Sequence, residues 1–369
     1  MRVVIIGAGI AGLSTAWALT KRGHDVTLLD QGPIPNPLAA SGDHHRIIRR
    51  AYGGQDGYTR LITEAFHAWE EVWQDIGARH EAPVGFLCVS QQPGDEADHL
   101  VEGLARGGYP HETLAPQAAA ARWAFLDPAT FRSATFSHEG GALFCKAIAR
   151  DLARWLSEHG ARVLPDTRAV AVDADTGTVT LADGARLMAD EIVITAGAWA
   201  LRLMPSLADV LTTYRTAVAY FVPPSGLEAA WAAAPVILDA GGASDGYVLP
   251  PGGGGGLKFG TGWHKRPTDN PDADRVPQPG EAEAIRRYFS PPFARIEEYR
   301  PLDVVTCCYT FTADERFTAR REGKVLAVSA CSGHGYKFGA AVGRRVASAV
   351  ETRDDPGLLA WLRAEAGAA

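Results

Sequence analysis

The chain has 369 residues, 46% of them hydrophobic, which is long enough for two domains and apolar enough to bury a large core. A formal net charge of −7 leaves no electrostatic footprint for nucleic acid or an anionic membrane, despite short basic clusters such as Arg49-Arg50 and Arg320-Arg321. The five cysteines, Cys88, Cys145, Cys307, Cys308 and Cys331, have neither zinc-site CxxC spacing nor a secreted disulfide pattern, so no metal site and a reducing, cytoplasmic setting are expected.

Residues 2–30 read as strand, glycine turn, helix and strand, and contain Gly7-x-Gly9-x-x-Gly12. Gly7 permits a sharp turn, Gly9 lets backbone N–H groups approach a pyrophosphate, and Gly12 lets the helix press on the sheet. The helix N-terminus then faces the phosphates. Asp30, eighteen residues past Gly12, closes the second strand where a carboxylate meets a ribose diol. A signal peptide or membrane anchor competes for the uncharged stretch 3–20, but three glycines and a returning strand suit neither. The expected ligand is an adenosine-bearing dinucleotide, and Asp30 serves NAD or FAD equally.

A loop over 31–45 leads into Arg46-Ile47-Ile48-Arg49-Arg50-Ala51-Tyr52. The apolar spacing predicts a helix over 58–76, a short strand over 84–90, an interrupted helical section over 98–123 and a good helix over 144–159. Runs at 162–164 and 169–172, a hairpin through 173–184 and a strand at 191–194 come next. The last of these stops at Thr195-Ala196-Gly197-Ala198-Trp199, which is either an ordinary turn or backbone offered to a cofactor. Residues 212–261 alternate as strands, broken at 223–232, with Gly252–Gly256 as a hairpin loop. Beyond them, 304–311 and 325–330 are β-rich, and Ser332 to Gly339 opens a helix to about residue 350. The expected architecture is α/β, a discontinuous Rossmann-type domain plus an antiparallel or mixed sheet.

Five segments together carry a family likeness: the fingerprint through Asp30; Gly42-Asp43-His44-His45-Arg46 through Gly53; Gly256-Leu257-Lys258-Phe259-Gly260; Cys307-Cys308-Tyr309-Thr310 with Asp314 to Phe317; and Ser332-Gly333-His334-Gly335-Tyr336-Lys337-Phe338. They resemble the monomeric sarcosine oxidase group of flavin amine oxidases, within the D-amino-acid-oxidase-like superfamily, over nearly the whole chain. The resemblance implies FAD in a glutathione-reductase-like domain made of 1–85, 140–205 and 308–369. It also implies a substrate domain of 86–139 and 206–307. The implied reaction takes a hydride from the α carbon of an amine to flavin N5, giving an imine and, from oxygen, hydrogen peroxide, in a monomer.

By the same resemblance, Cys307 bonds covalently to the flavin, with Cys308 or an inert buried thiol as alternatives. Neighbouring strand residues face opposite ways, and Tyr309 shares the face of Cys307. Arg46 lies near the flavin with His45, while Arg49 and Lys337 hold the substrate carboxylate, a task suited to a guanidinium fork. Taken alone, such arginines are more often solvated. Lys258 matches the lysine that activates oxygen, although most lysines end in solvent. Val170, Gly197, Trp199, Gly333, His334 and Gly335 fall on the cofactor side, and Tyr52, Tyr247 and Tyr309 on the substrate side. Trp263 is either a further wall or core packing. His264 is the nearest match to a catalytic histidine.

The chain departs from the group at Gly54, where an acidic residue is usual, at His45, where threonine is usual, and at His264, which is six rather than four residues past Lys258. These departures concern substrate more than FAD. The expected substrate is therefore a secondary or cyclic amino acid, such as an N-methyl amino acid or pipecolate, or a specialised-metabolite amine. A flavin dehydrogenase and a non-catalytic flavin-binding protein are the other classes left open.

Overall fold

The computed structural model describes residues 1–50, 52–53, 56–240 and 245–365, so Gly54 lies outside the described residues. Strand β1 (Arg2–Ile6), helix α1 (Ile10–Lys21) and strand β2 (Asp25–Leu29) form the opening βαβ unit. They belong to a six-stranded sheet ordered Thr318–Glu322, Val325–Ser329, Glu191–Ile194, β1, β2 and Arg162–Leu164. Every pairing in it is parallel except that of the edge strand Thr318–Glu322. The chain's end thus returns to the first sheet. Both faces are covered, as a parallel sheet requires. Helices α1, Asp56–Ile76, Cys145–Glu158 and Gly339–Thr352 pack on one face, and residues of the small sheet 169–188 with Met204 and Leu207 pack on the other.

α1 meets Gly339–Thr352 closely because a Cβ on Gly343 would strike the backbone of Ser14. That fit orders the 332–339 turn beside the glycine loop.

A nine-stranded sheet forms the second layer. Its longest pair is Thr212–Val222 with Arg300–Phe311, antiparallel, with Cys307 opposite Thr216 and Cys308 opposite Arg215. Strand Arg300–Phe311 runs unbroken across the expected 307/308 domain boundary. Between the two sheets, β3 (His45–Arg49) pairs with Gly140–Phe144, which also pairs with Glu81–Ala82. β3 therefore carries Arg46 and Arg49 from the nucleotide layer toward the second sheet. The interrupted 98–123 section resolves into helix Glu96–Arg106, strand Glu112–Leu114 and helix Pro116–Arg122. Among the described residues, no helix is long and apolar enough to cross a membrane.

Candidate functional site

At the end of β1, Gly7 has φ 106°, and a Cβ there would lie 2.7 Å from the Thr195 carbonyl oxygen. A Cβ on Gly12 would overlap the carbonyl of Gly7, so the first and third glycines are steric requirements of the turn itself. Ser41 Oγ accepts from Ile10 N at 3.1 Å at the mouth of α1. Asp30 is buried, and its carboxylate accepts from Ala8 N (2.8 Å), Gly32 N (3.0 Å) and Asn36 Nδ2 (2.8 Å). Its short side chain ties the glycine loop to β2, a role the ribose expectation omitted.

From this loop a cavity of about 850 Å³ runs toward the nine-stranded sheet. Gly9, Arg46, Gly197 and the 328–337 stretch line one end; Arg49, Tyr52, Tyr247, Tyr309, Asp239 and Asp245 line the other. The volume falls within the usual range for cofactor and ligand pockets, roughly 300–1,000 Å³. His45 is buried, with Nε2 3.1 Å from the Pro250 carbonyl and Nδ1 without a partner among the described residues. Burial pushes its pKa down to about 2, so the ring is neutral. The glycine cradle and the cavity that opens from it fit a dinucleotide cofactor, whereas His45, expected beside the cofactor, is not among the lining residues.

Two cation clusters flank the cavity. In the first, Asp43 Oδ2 accepts from Arg46 at 2.7 Å and from Lys258 at 3.0 Å, while Oδ1 accepts from the Tyr220 hydroxyl. Lys258 Nζ also donates to the His45 carbonyl. Tyr220 and Lys258 are cross-strand neighbours, which is how the tyrosine comes to reach Asp43. Burial pushes Asp43 up, but Lys258, Arg46 and the Tyr220 hydroxyl outweigh it and hold the carboxyl well below the usual range. Burial wins at Lys258, whose pKa falls despite Asp43.

In the second cluster, Lys337 Nζ donates to the Tyr52 hydroxyl and to the His334 carbonyl, both at 2.9 Å, and Arg49 lies 4.6 Å over the Tyr52 ring. Burial, reinforced by Arg49, depresses the Lys337 pKa strongly. An anion entering here would restore that lysine's charge. His334 is pushed down to about 3 by burial and by Lys337. Burial raises the hydroxyls of Tyr247 and Tyr309, so both are neutral.

The two adjacent cysteines part company as strand geometry demands. Cys307 lies beside Arg46 and the Tyr309 hydroxyl, and burial pushes its thiol up to about 11. Cys308 turns away, donating to the Pro271 carbonyl at 3.6 Å and packing against Ala198 and Trp199.

Several expected residues stand elsewhere. Lys258 does not line the cavity; it sits behind Arg46, fully buried, reaching the wall through Asp43. His264 lies beyond the end of strand Leu257–Thr261, because its extra two residues of spacing carry it into the following turn. There Nε2 meets Glu281 at 2.8 Å, beside the buried Arg215–Glu281 pair. Trp263 is 63% exposed, so it is neither a cavity wall nor core. Val170 is 46% exposed at an irregularity in the small sheet, away from the cavity. Trp199 donates to Asp272 at 2.8 Å behind the wall that Gly197 lines. Gly333, His334 and Gly335 all line the cavity.

Sequence reasoning assigned no role to Asp43, Tyr220, Asp239 or Asp245. Only Asp43 had a visible signal, lying three residues before Arg46 inside a quoted motif.

Comparison with known proteins agrees with this geometry. Monomeric sarcosine oxidase of Bacillus sp. (strain NS-129) is 27% identical over 370 residues, covering 95% of this chain and 92% of that protein. N-methyl-L-tryptophan oxidase of Yersinia pestis (strain Pestoides F) is 25% identical over 370 residues, covering 96% of each. A modified fructosyl peptide oxidase from Aspergillus nidulans superposes with TM-score 0.81 at 21% identity, over 99% of this chain and 94% of its own. The profile of the DAO family, FAD dependent oxidoreductase, matches residues 2–349. A glycine cradle, a cavity spanning two sheets and this near-complete match lead to one conclusion: the chain belongs to the DAO family of FAD-dependent oxidoreductases.

Proposed function

We propose that the protein is an FAD-dependent oxidase of secondary or cyclic α-amino acids, with N-methyl amino acids and pipecolate-like imino acids as its substrate class. The observation that carries this reading is the Arg49–Tyr52–Lys337 cluster on a cavity continuous with the glycine loop. A half-buried guanidinium beside a buried lysine that an anion would protonate suits a carboxylate, and an amine without one gives them nothing to hold. The sarcosine and N-methyl-tryptophan oxidases among the relatives point the same way.

When bound, FAD supplies the acceptor for the two electrons leaving the C–N bond. Gly7, Gly9 and Gly12 would hold its pyrophosphate at the mouth of α1, Gly197 and the 333–335 turn would also bound it, and Cys307, beside Arg46 though not itself among the lining residues, would be the residue for covalent attachment. The protein's own tasks are binding and orientation. Arg49 and Lys337 fix the carboxylate, which sets the direction in which the α carbon points. Tyr247 and Tyr309 close the sides of the cavity and exclude water. Lys258 and Arg46, with Asp43 between them, keep one net positive charge at the cofactor end when the lysine is protonated, a field that favours negative charge developing there. Oxygen is the proposed final acceptor, a monomer the proposed working form, and the cytoplasm the proposed setting, in keeping with five unpaired cysteines.

Oxygen uptake and peroxide release test the reading. The purified holoprotein is offered sarcosine, N-methyl-L-alanine and L-pipecolate in air; peroxide formed in step with amine consumed is expected. Amine consumption only with an added electron carrier, and no peroxide, would replace the oxidase by a dehydrogenase. No consumption of any carboxylated amine would remove the proposal.

A further inference from the structure

Near Arg49, the wall of the cavity carries the carboxyl of Asp239. Asp239 follows strand Val236–Leu238, and Leu238 pairs with Tyr247, so the acid stands at the rim beside the proposed substrate tyrosine. Its backbone is left-handed, φ 53°, an arrangement that costs a non-glycine residue energy and recurs where a side chain must be aimed. The residue is 7% exposed and lines the cavity. The charged groups acting on its carboxyl are Asp245, Arg49, Glu96 and Asp95.

The other acids on this wall are differently placed. Asp95 caps a helix by accepting from Asp98 N at 3.1 Å, Glu96 pairs with His99 at 3.4 Å, and Glu315 pairs with Lys265 at 3.7 Å. Asp245 also lines the cavity and is near enough to repel Asp239. Two carboxyls therefore line the cavity on the side where Arg49 stands, close enough to feel its charge. Burial, then Asp245, push the Asp239 pKa up to about 8, opposed by Arg49. Such a carboxyl is neutral near pH 7 until a cation arrives to ionise it.

We propose that Asp239 is the receptor for a second, positively charged nitrogen on the substrate side chain, so that the preferred substrate is a dibasic secondary amino acid. Its α-carboxylate lies on Arg49 and Lys337, and its distal ammonium on Asp239, with Asp245 adding attraction from further off. An apolar side chain of the same length would bring this buried carboxyl no hydrogen-bond donor and still strip it of water, which disfavours it. This inference rests on the amino-acid reading of the cavity.

The test uses a ligand pair that cannot be oxidised at an α-amine. The holoprotein is titrated calorimetrically with 6-aminohexanoate and with hexanoate, equal in chain length and differing in the terminal ammonium. A charge-assisted hydrogen bond predicts that 6-aminohexanoate binds at least about tenfold more tightly. In Asp239→Asn the preference should fall to within about twofold while hexanoate affinity holds. Asparagine accepts the left-handed backbone, so this variant keeps the fold. Asp245→Asn should retain most of the preference. Equal or tighter binding of hexanoate, no binding of either acid, or a preference that survives in Asp239→Asn and vanishes in Asp245→Asn would overturn the assignment. Failure of the substrate class itself reads out separately, as absent amine consumption while this ligand preference persists.

Discussion

Replacing Asp43 by asparagine keeps the shape of the side chain and removes the charge that lets Lys258 and Arg46 share one buried space. Removing one partner of a buried pair costs about 3–5 kcal/mol, because the other charge stays behind uncompensated. Lys258 and Asp43 are 0% and 4% exposed, so water gives that pair little relief. Arg46 is less affected: it is 16% exposed and keeps the carbonyls of Ala40 and His45. Lys258 also has an escape, since its pKa is already lowered and it sheds its proton more readily than a free lysine. The lower end, about 3 kcal/mol at pH 7, is therefore expected, shrinking toward pH 10. Urea unfolding followed by tryptophan fluorescence on wild type, Asp43→Asn, Lys258→Met and the double variant gives the cycle. The double variant should recover part of the loss, with a coupling energy above about 2 kcal/mol. A cost below about 0.5 kcal/mol for Asp43→Asn, or additive effects in the double variant, would refute a charge-bridging role.

After acid precipitation, Cys307→Ser should release its flavin into the supernatant while Cys308→Ser keeps it in the pellet; the reverse pattern would exchange their roles. Arg49→Met and Lys337→Met should each raise KM for a carboxylated amine by about 10- to 100-fold, the worth of a hydrogen bond to a charged group, with no comparable loss for N-methylbenzylamine. For His264→Ala, turnover is expected to stay within about twofold of wild type while the thermal midpoint falls, because the ring supports Glu281 rather than the cavity. The titration of buried groups sets the pH profile of stability. Asp43, with its folded pKa depressed, contributes fully above its unfolded value near pH 4, and that contribution is lost as pH falls through the folded pKa. Lys337 and Lys258 bind protons less readily folded than unfolded, so their contribution to stability rises with pH between their lowered pKa values and about 10.5. Denaturant midpoints from pH 3 to 10 check both signs.

Where local chemistry decides the structure, the sequence was readable. Gly7 and Gly12 cannot carry a Cβ, and the β1–α1–β2 unit stands as their spacing requires. Helix Cys145–Glu158 shows its buried stripe at Ile148, Leu152 and Trp155 directly in the pattern. Tertiary pairing decided the rest. The strand role of His45–Arg49 comes from its partner Gly140–Phe144, whose glycines give no strand signal. The Asp43–Tyr220–Lys258 constellation depends on a register that sets residues 220 and 258 opposite each other, which no spacing along the chain encodes. His264 shows the converse: likeness of residue type promised a catalytic position, and two extra residues moved the ring to Glu281. Asp239 was invisible because an aspartate after an apolar run reads as a strand terminus, and only the folded chain sets its carboxyl on the cavity wall.

The central claim is that a single cavity holds both FAD and the carboxylate of a secondary amino acid, and anaerobic stopped-flow mixing addresses it most directly. Yellow holoprotein mixed with N-methyl-L-alanine or L-pipecolate should lose its visible flavin absorbance at a rate that saturates with substrate, and Arg49→Met should need far more substrate to reach the same rate. Protein that purifies colourless and takes up no FAD, or a flavin whose absorbance no carboxylated secondary amine removes, would contradict the account.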